Sequence, residues 1–110
     1  MSPADYHDDA FIREFLAEAE EHFETLDRDL LTLDEAVRTG TTPGQDAIEN
    51  MFRAVHTIKG LAAMLDYAGV RDLAHALENV LDGVRKHTVA VDPTCLQALF
   101  DGSEALKSAM

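Results

Sequence analysis

Residues 42–65 read TPGQDAIENMFRAVHTIKGLAAML, and the periodicity of this stretch decides the fold. Ile48, Met51, Phe52, Val55, Ile58, Ala62 and Leu65 recur at spacings of three and four, which lines up one face of an α-helix. Thr42 reads as the N-cap, Pro43 suits the first helical position, and Gln45 completes a capping-box pattern with Thr42. An amphipathic helix of this kind buries one face and needs other helices, or a sheet, to bury it against.

Working outward, the segment before it supplies the first partner. From about Asp8 to Arg38, Ile12, Leu16, Ala19, Phe23, Leu26, Leu30, Leu33 and Val37 form a narrow apolar stripe, with Glu and Asp on the other faces. Thr39-Gly40-Thr41 ends that helix, with glycine suited to the left-handed closing position. On the other side, Asp66-Tyr67-Ala68-Gly69 reads as a short turn. A third helix follows and turns Val70, Leu73, Leu77, Val80, Leu81 and Val84 inward. His87 to Val91 is a loop. Asp92 then caps a fourth helix whose first residue is Pro93 and whose core positions are Leu96, Leu99, Phe100 and Leu106. Gly102 is a weak point inside it, costing up to about 1 kcal/mol relative to alanine. Four amphipathic helices with short connections predict an all-α, antiparallel four-helix bundle.

Composition sets the outer limits. A chain of 110 residues, 46% hydrophobic, supports one domain with a single core, here residues 1–110. No apolar run approaches the roughly 20 residues needed to span a bilayer, and Met1 to Asp9 is too polar for a signal peptide, so a cytoplasmic location is expected. Cys95 is the only cysteine, which excludes a disulfide framework and a zinc-cysteine cluster. The net charge of −12 is uneven: residues 1–50 hold 14 acidic and 3 basic side chains, and residues 51–110 hold 7 and 6. That balance argues against nucleic acid or an anionic membrane as partner, because both require a basic footprint.

His56 draws attention among the five histidines. On a helical wheel it lies roughly 125° from the centre of its helix's apolar face, on the flank beside Glu49, Phe52, Arg53 and Gly60. Gly60, Ala62 and Ala63 follow within two turns and leave the imidazole open to an approaching protein. Lys59, three residues on, brings a cation close to the ring. Glu78 sits at a similar flank angle on the third helix, with His75 one turn before it. A carboxylate bonded to one imidazole N–H fixes the tautomer and leaves the other nitrogen nucleophilic. Taken alone, a flank histidine is ordinarily a surface or boundary residue, and Lys59 and Glu78 are ordinarily solvated side chains. A di-iron bundle site is the alternative chemistry, but it requires Glu-x-x-His on two helices, and here one helix carries that spacing, in reverse order. An interaction module with an inert His56 is a further alternative.

The run Phe52-Arg53-Ala54-Val55-His56-Thr57-Ile58-Lys59-Gly60 closely resembles the phosphoacceptor motif of histidine-containing phosphotransfer (HPt) domains, where a helix carries H-[ST]-[IL]-K-G. The Phe-Arg-Ala before the histidine, and His75-Ala76-Leu77-Glu78-Asn79-Val80-Leu81-Asp82 after it, resemble the N-terminal domain of the CheA chemotaxis kinases. Related domains occur in twitching-motility and hybrid sensor kinases. Gly60 is followed by Leu61-Ala62-Ala63-Met64 where that family often has glycines, and Asp66 stands where a glycine is common.

The resemblance implies an HPt-like bundle, with room for a fifth helix beyond Met110, cut from a longer multidomain kinase. It implies that His56 is phosphorylated, that Lys59 stabilises charge beside it, that Glu78 bonds Nδ1 and leaves Nε2 to react, and that His75 is an auxiliary neighbour. Phe52, Arg53, Gly60 and Ala63 become the expected docking residues. The implied partners are a kinase ATP-binding domain and a response-regulator receiver domain, CheY-like or CheB-like. No cofactor is expected in this domain, because ATP and Mg2+ come with the partners. The chain alone would be a monomeric relay and not an enzyme.

Overall fold

The computed structural model describes residues 9–42 and 44–110. Four α-helices follow in order among them: α1 (Asp9–Thr39), α2 (Gln45–Met64), α3 (Ala68–Arg85) and α4 (Pro93–Ala109). They form the antiparallel bundle expected from the sequence. α1 packs on α2 and α4, and α3 packs on the same two, so α1 and α3 stand diagonally opposed. The connections are short, which favours neighbours that run in opposite directions.

Burial of the apolar stripes holds the bundle together. Leu26, Leu30 and Leu33 of α1, Met51, Val55 and Ile58 of α2, Leu81 of α3, and Leu99 and Leu106 of α4 are fully enclosed. Each is worth about 1.5–3 kcal/mol of burial, far more than any difference in helix propensity.

Two stripe positions depart from the sequence reading. Leu16 is 40% exposed while Phe15 is buried. A spacing that alternates three and four averages 3.5 residues per turn, and on a straight helix of 3.6 it drifts by about 20° per heptad. Counted back from Leu26, Phe15 falls closer to the inward face than Leu16 does. Phe15 also meets the Tyr67 ring edge-on, with centroids 6.0 Å apart. On α3, Leu73 is 38% exposed and Ala74 takes the inward place. The small side chain there allows α3 to approach its neighbours closely.

Helix ends differ in a similar way. The Thr42–Gln45 capping box does not form: α2 starts at Gln45, and Gly44 is its N-cap without a side-chain bond. The placement of Pro43 at the first helical position lies outside the described residues. The turn after α2 is shorter than the sequence indicates, since Ala68 and Gly69 already belong to α3. Asp92 does cap α4, accepting from the Cys95 N–H at 2.7 Å, an interaction worth about 1 kcal/mol.

Three C-termini share one closing pattern. Gly40, Asp66 and His87 each adopt a left-handed φ, of 71°, 60° and 62°. After α1, Thr41 N–H donates to the Ala36 carbonyl; after α2, Tyr67 N–H donates to Ala62; after α3, Thr88 N–H donates to Gly83. These six-to-one bonds are the Schellman arrangement. Gly102 has a packing reason as well: a Cβ there would lie 2.9 Å from the Leu77 Cδ1 of α3.

Candidate functional site

The site lies on the seam between α2 and α3. Glu49, Phe52 and His56 recur at three and four along α2, and Glu78, Asp82 and Arg85 do so along α3, so each set lies on one flank. Because the helices are antiparallel, the flanks meet in register. His56 Nδ1 lies 2.8 Å from Glu78 Oε2. Seven residues back on α2 and seven further on α3, Glu49 Oε2 lies 3.7 Å from Arg85 Nη1.

Glu78 is the hub. Lys59 Nζ donates to its second oxygen, Oε1, at 2.9 Å. The Glu78 side chain is 12% exposed, against 62% for His56. Burial pushes the Glu78 carboxyl upward, but hydrogen bonds from Lys59 and His56, with their charges, outweigh it and hold it below the ordinary glutamate range. An ionised carboxylate only accepts, so the Nδ1 facing it carries the proton. Whenever the ring is neutral, Nε2 is then the nitrogen without a proton, at the far side of the ring from Nδ1 on a largely exposed side chain. A neutral imidazole with a fixed N–H and an open, basic nitrogen is equipped for nucleophilic attack.

The structure thus brings His56, Lys59 and Glu78 together. Lys59 meets the carboxylate and not the ring, so its charge acts on His56 through Glu78. The His75 side chain is exposed on α3 and makes no hydrogen bond or ion pair with the described residues. Of the expected docking residues, Arg53, Gly60 and Ala63 are exposed around His56, and a Cβ on Gly60 would meet open space. Phe52 is half-buried and stacks on the imidazole, with centroids 6.2 Å apart and planes inclined by 14°.

Sequence reasoning missed Arg85. Its guanidinium lies 4.0 Å from the centroid of the Phe52 ring. Asp82 accepts from its Nη2 and also pairs with Lys86 at 2.9 Å. The signal was present in the spacing, since Arg85 stands two turns after Glu78 on the same flank. Among the described residues no group of three or more His, Cys, Asp or Glu side chains is placed to hold a metal ion. Nor is any helix long and apolar enough to cross a membrane.

Comparison with known proteins adds to this geometry. Residues 10–109 match the Hpt domain family. The chain is 31% identical to the chemotaxis protein CheA of Treponema pallidum over 111 residues, covering 98% of this chain and 13% of that one. It is 37% identical to the CheA of Listeria monocytogenes over 94 residues, covering 86% and 14%. The chain therefore spans about one seventh of the length of these relatives. Among solved structures, the CheA phosphotransferase domain from Thermotoga maritima superposes with a TM-score of 0.78 at 26% identity, covering 99% of this chain and 95% of that domain.

Proposed function

Because this chain belongs to the Hpt domain family, we propose that it serves as the phosphoacceptor of a chemotaxis-type two-component system, with His56 carrying the phosphoryl group. The observation that carries the reading is the 2.8 Å contact between His56 Nδ1 and Glu78, made by an imidazole whose other edge faces solvent.

The chemistry follows from that contact. The Nε2 lone pair attacks the γ-phosphorus of ATP held by a kinase ATP-binding domain; the N–P bond forms as the bond to the departing ADP oxygen breaks. The proton stays on Nδ1, so the phosphorylated ring is cationic, and the Glu78 carboxylate offsets that charge. An aspartate oxygen of a receiver domain then attacks the same phosphorus. The N–P bond breaks, its electrons return to Nε2, and the neutral imidazole is restored. Phosphoryl transfer depends mainly on positioning and charge stabilisation, so a helical flank suffices as carrier. Lys59 keeps Glu78 ionised and oriented. Gly60 and Ala63 leave room for the donor and acceptor domains, and Phe52 and Arg53 meet them from the preceding turn.

In this account the chain is a relay, substrate of one domain and donor to the next, and the enzymatic machinery resides in those partners. Its setting is the cytoplasm, where ATP is found. The test is incubation with ATP and a CheA-type kinase ATP-binding domain, followed by a receiver domain. Acid-labile, base-stable phosphate should appear on the wild type, pass to the receiver, and be missing from His56→Gln. Labelling of His56→Gln at the wild-type level would contradict the assignment.

A further inference from the structure

The seam holds a second feature beside the His56–Glu78 bond: a guanidinium against a phenyl ring that in turn lies offset and nearly parallel to the imidazole. Arg85 Cζ lies 4.0 Å from the Phe52 centroid, and the Phe52 ring lies nearly parallel to that of His56. Side chains on a helix lean toward its N-terminus, so the His56 ring naturally covers the residue one turn before it, Phe52. Two carboxylates fix the guanidinium from both helices: Asp82 of α3 by a hydrogen bond, and Glu49 of α2 at 3.7 Å.

We propose that Arg85 is a positioning residue for His56, acting through Phe52 to hold the imidazole in the plane from which Nε2 reacts. The proposal rests on the reading of His56 as phosphoacceptor. An imidazole on a helix turns about two side-chain bonds. The hydrogen bond to Glu78 holds one edge of the ring, and rocking of an unsupported ring would break that bond for part of the time and release the tautomer with it. A flat neighbour set parallel against the ring's border limits the rocking, provided that the neighbour itself is held. Phe52 is only half-buried, so the core alone does not lock it. Arg85 does so by lying against it, a contact favoured by attraction between the cation and the ring's electron-rich face. The positive charge is matched locally by Asp82 and Glu49, so Arg85 acts by geometry and supplies no charge to the phosphoryl group. The offset ring pair adds a further, smaller attraction.

The experiment separates positioning from docking by using a small donor, potassium phosphoramidate, from which Nε2 displaces ammonia at phosphorus without any protein partner. The variants are Arg85→Leu, Phe52→Leu, Arg85→Lys and Phe52→Tyr, with helical content checked by circular dichroism. Two readouts are taken: the 15N shifts of the His56 ring, which report its tautomer, and the rate at which the His56 phosphohistidine signal grows in 31P spectra. His56→Gln identifies which signals belong to His56. The wild-type ring should show one dominant tautomer with the proton on Nδ1. Arg85→Leu and Phe52→Leu should move it toward a mixture and slow the reaction by about 3- to 10-fold, the scale of a modest loss of orientation. Arg85→Lys, which keeps a cation but loses the flat guanidinium, should fall between wild type and Arg85→Leu, and Phe52→Tyr, which keeps the ring, should restore the Nδ1–H tautomer that Phe52→Leu loses. A folded Arg85→Leu and a folded Phe52→Leu with wild-type tautomer and rate would overturn the assignment of Arg85. A wild type that takes no phosphoryl group on His56 from a kinase domain would instead overturn the underlying reading. The tautomer, measured without phosphorylation, tells the two failures apart.

Discussion

His56 and Glu78, one on each helix of the α2–α3 seam, meet at 2.8 Å through Nδ1 and Oε2, while Lys59 holds the other oxygen of the same carboxylate at 2.9 Å. One carboxylate thereby sets the tautomer of an exposed ring and is itself kept ionised by a neighbouring cation. On the proposed function, the reactivity of His56 depends on a residue 22 positions away in sequence.

Glu78→Gln and Glu78→Ala should therefore slow phosphorylation of His56 by about 10- to 1,000-fold, a loss of roughly 1.4–4 kcal/mol of transition-state stabilisation. Binding of the kinase domain should change little, because Glu78 lies largely inside the seam. Single-turnover kinetics, with saturation in kinase domain, checks both halves. An unchanged rate would leave Glu78 as a structural contact.

The same carboxylate makes stability depend on acid. Its folded pKa lies below the unfolded value, so its contribution is fully present above about pH 4.3 and is lost as pH falls through the depressed folded value. Urea denaturation of wild type and Glu78→Gln at pH 6 and pH 3 should show a stability gap in favour of wild type that narrows on acidification. A gap that stays constant or widens would contradict the depressed pKa. Asp82, held low by Lys86 and Arg85, shifts in the same direction in both proteins and cancels in the comparison.

Docking is tested at Gly60, where a side chain would project into open space beside His56. Gly60→Gln should leave phosphorylation by phosphoramidate close to wild type but weaken transfer to a receiver domain several-fold. A transient interface of on the order of 1,000 Å² tolerates little intrusion near its centre. Undiminished transfer would place the docking surface elsewhere.

At the end of α3, His87 closes the helix with a φ of 62°. A left-handed conformation costs an ordinary residue about 1–2 kcal/mol that glycine avoids. His87→Gly should raise stability by up to about 1 kcal/mol once the extra freedom of the unfolded glycine is offset, lifting Tm by a few degrees. A lower Tm would show that the His87 side chain contributes more than its backbone costs.

The fold was legible because burial dominates it: Leu26, Leu30, Ile58, Leu81 and Leu106 sit where their spacing places them. Local choices were less legible. Leu16 lost its place to Phe15 because a small angular drift accumulates along a 31-residue helix. The Thr42 cap failed because α2 begins at Gln45, which a local cap motif does not fix. At the site, the residues on one flank were readable and the family resemblance implied that Glu78 meets Nδ1 of His56, but the finer pairing was not. Which oxygen of Glu78 meets His56, and that Lys59 turns to the other, depends on the α2–α3 register. Arg85 went unnoticed because its importance comes from the Phe52 ring beneath it, a contact between helices that no motif marks.

The proposed mechanism places the phosphoryl group on Nε2 of His56. The most direct measurement is 15N and 31P NMR of the histidine-labelled chain after phosphorylation by a CheA-type ATP-binding domain, with His56→Gln assigning the ring. One phosphohistidine should appear, with the phosphoryl-bonded nitrogen at Nε2 of His56 and the proton retained on Nδ1. Phosphate on Nδ1, or on His22, His75 or His87 in place of His56, would contradict it.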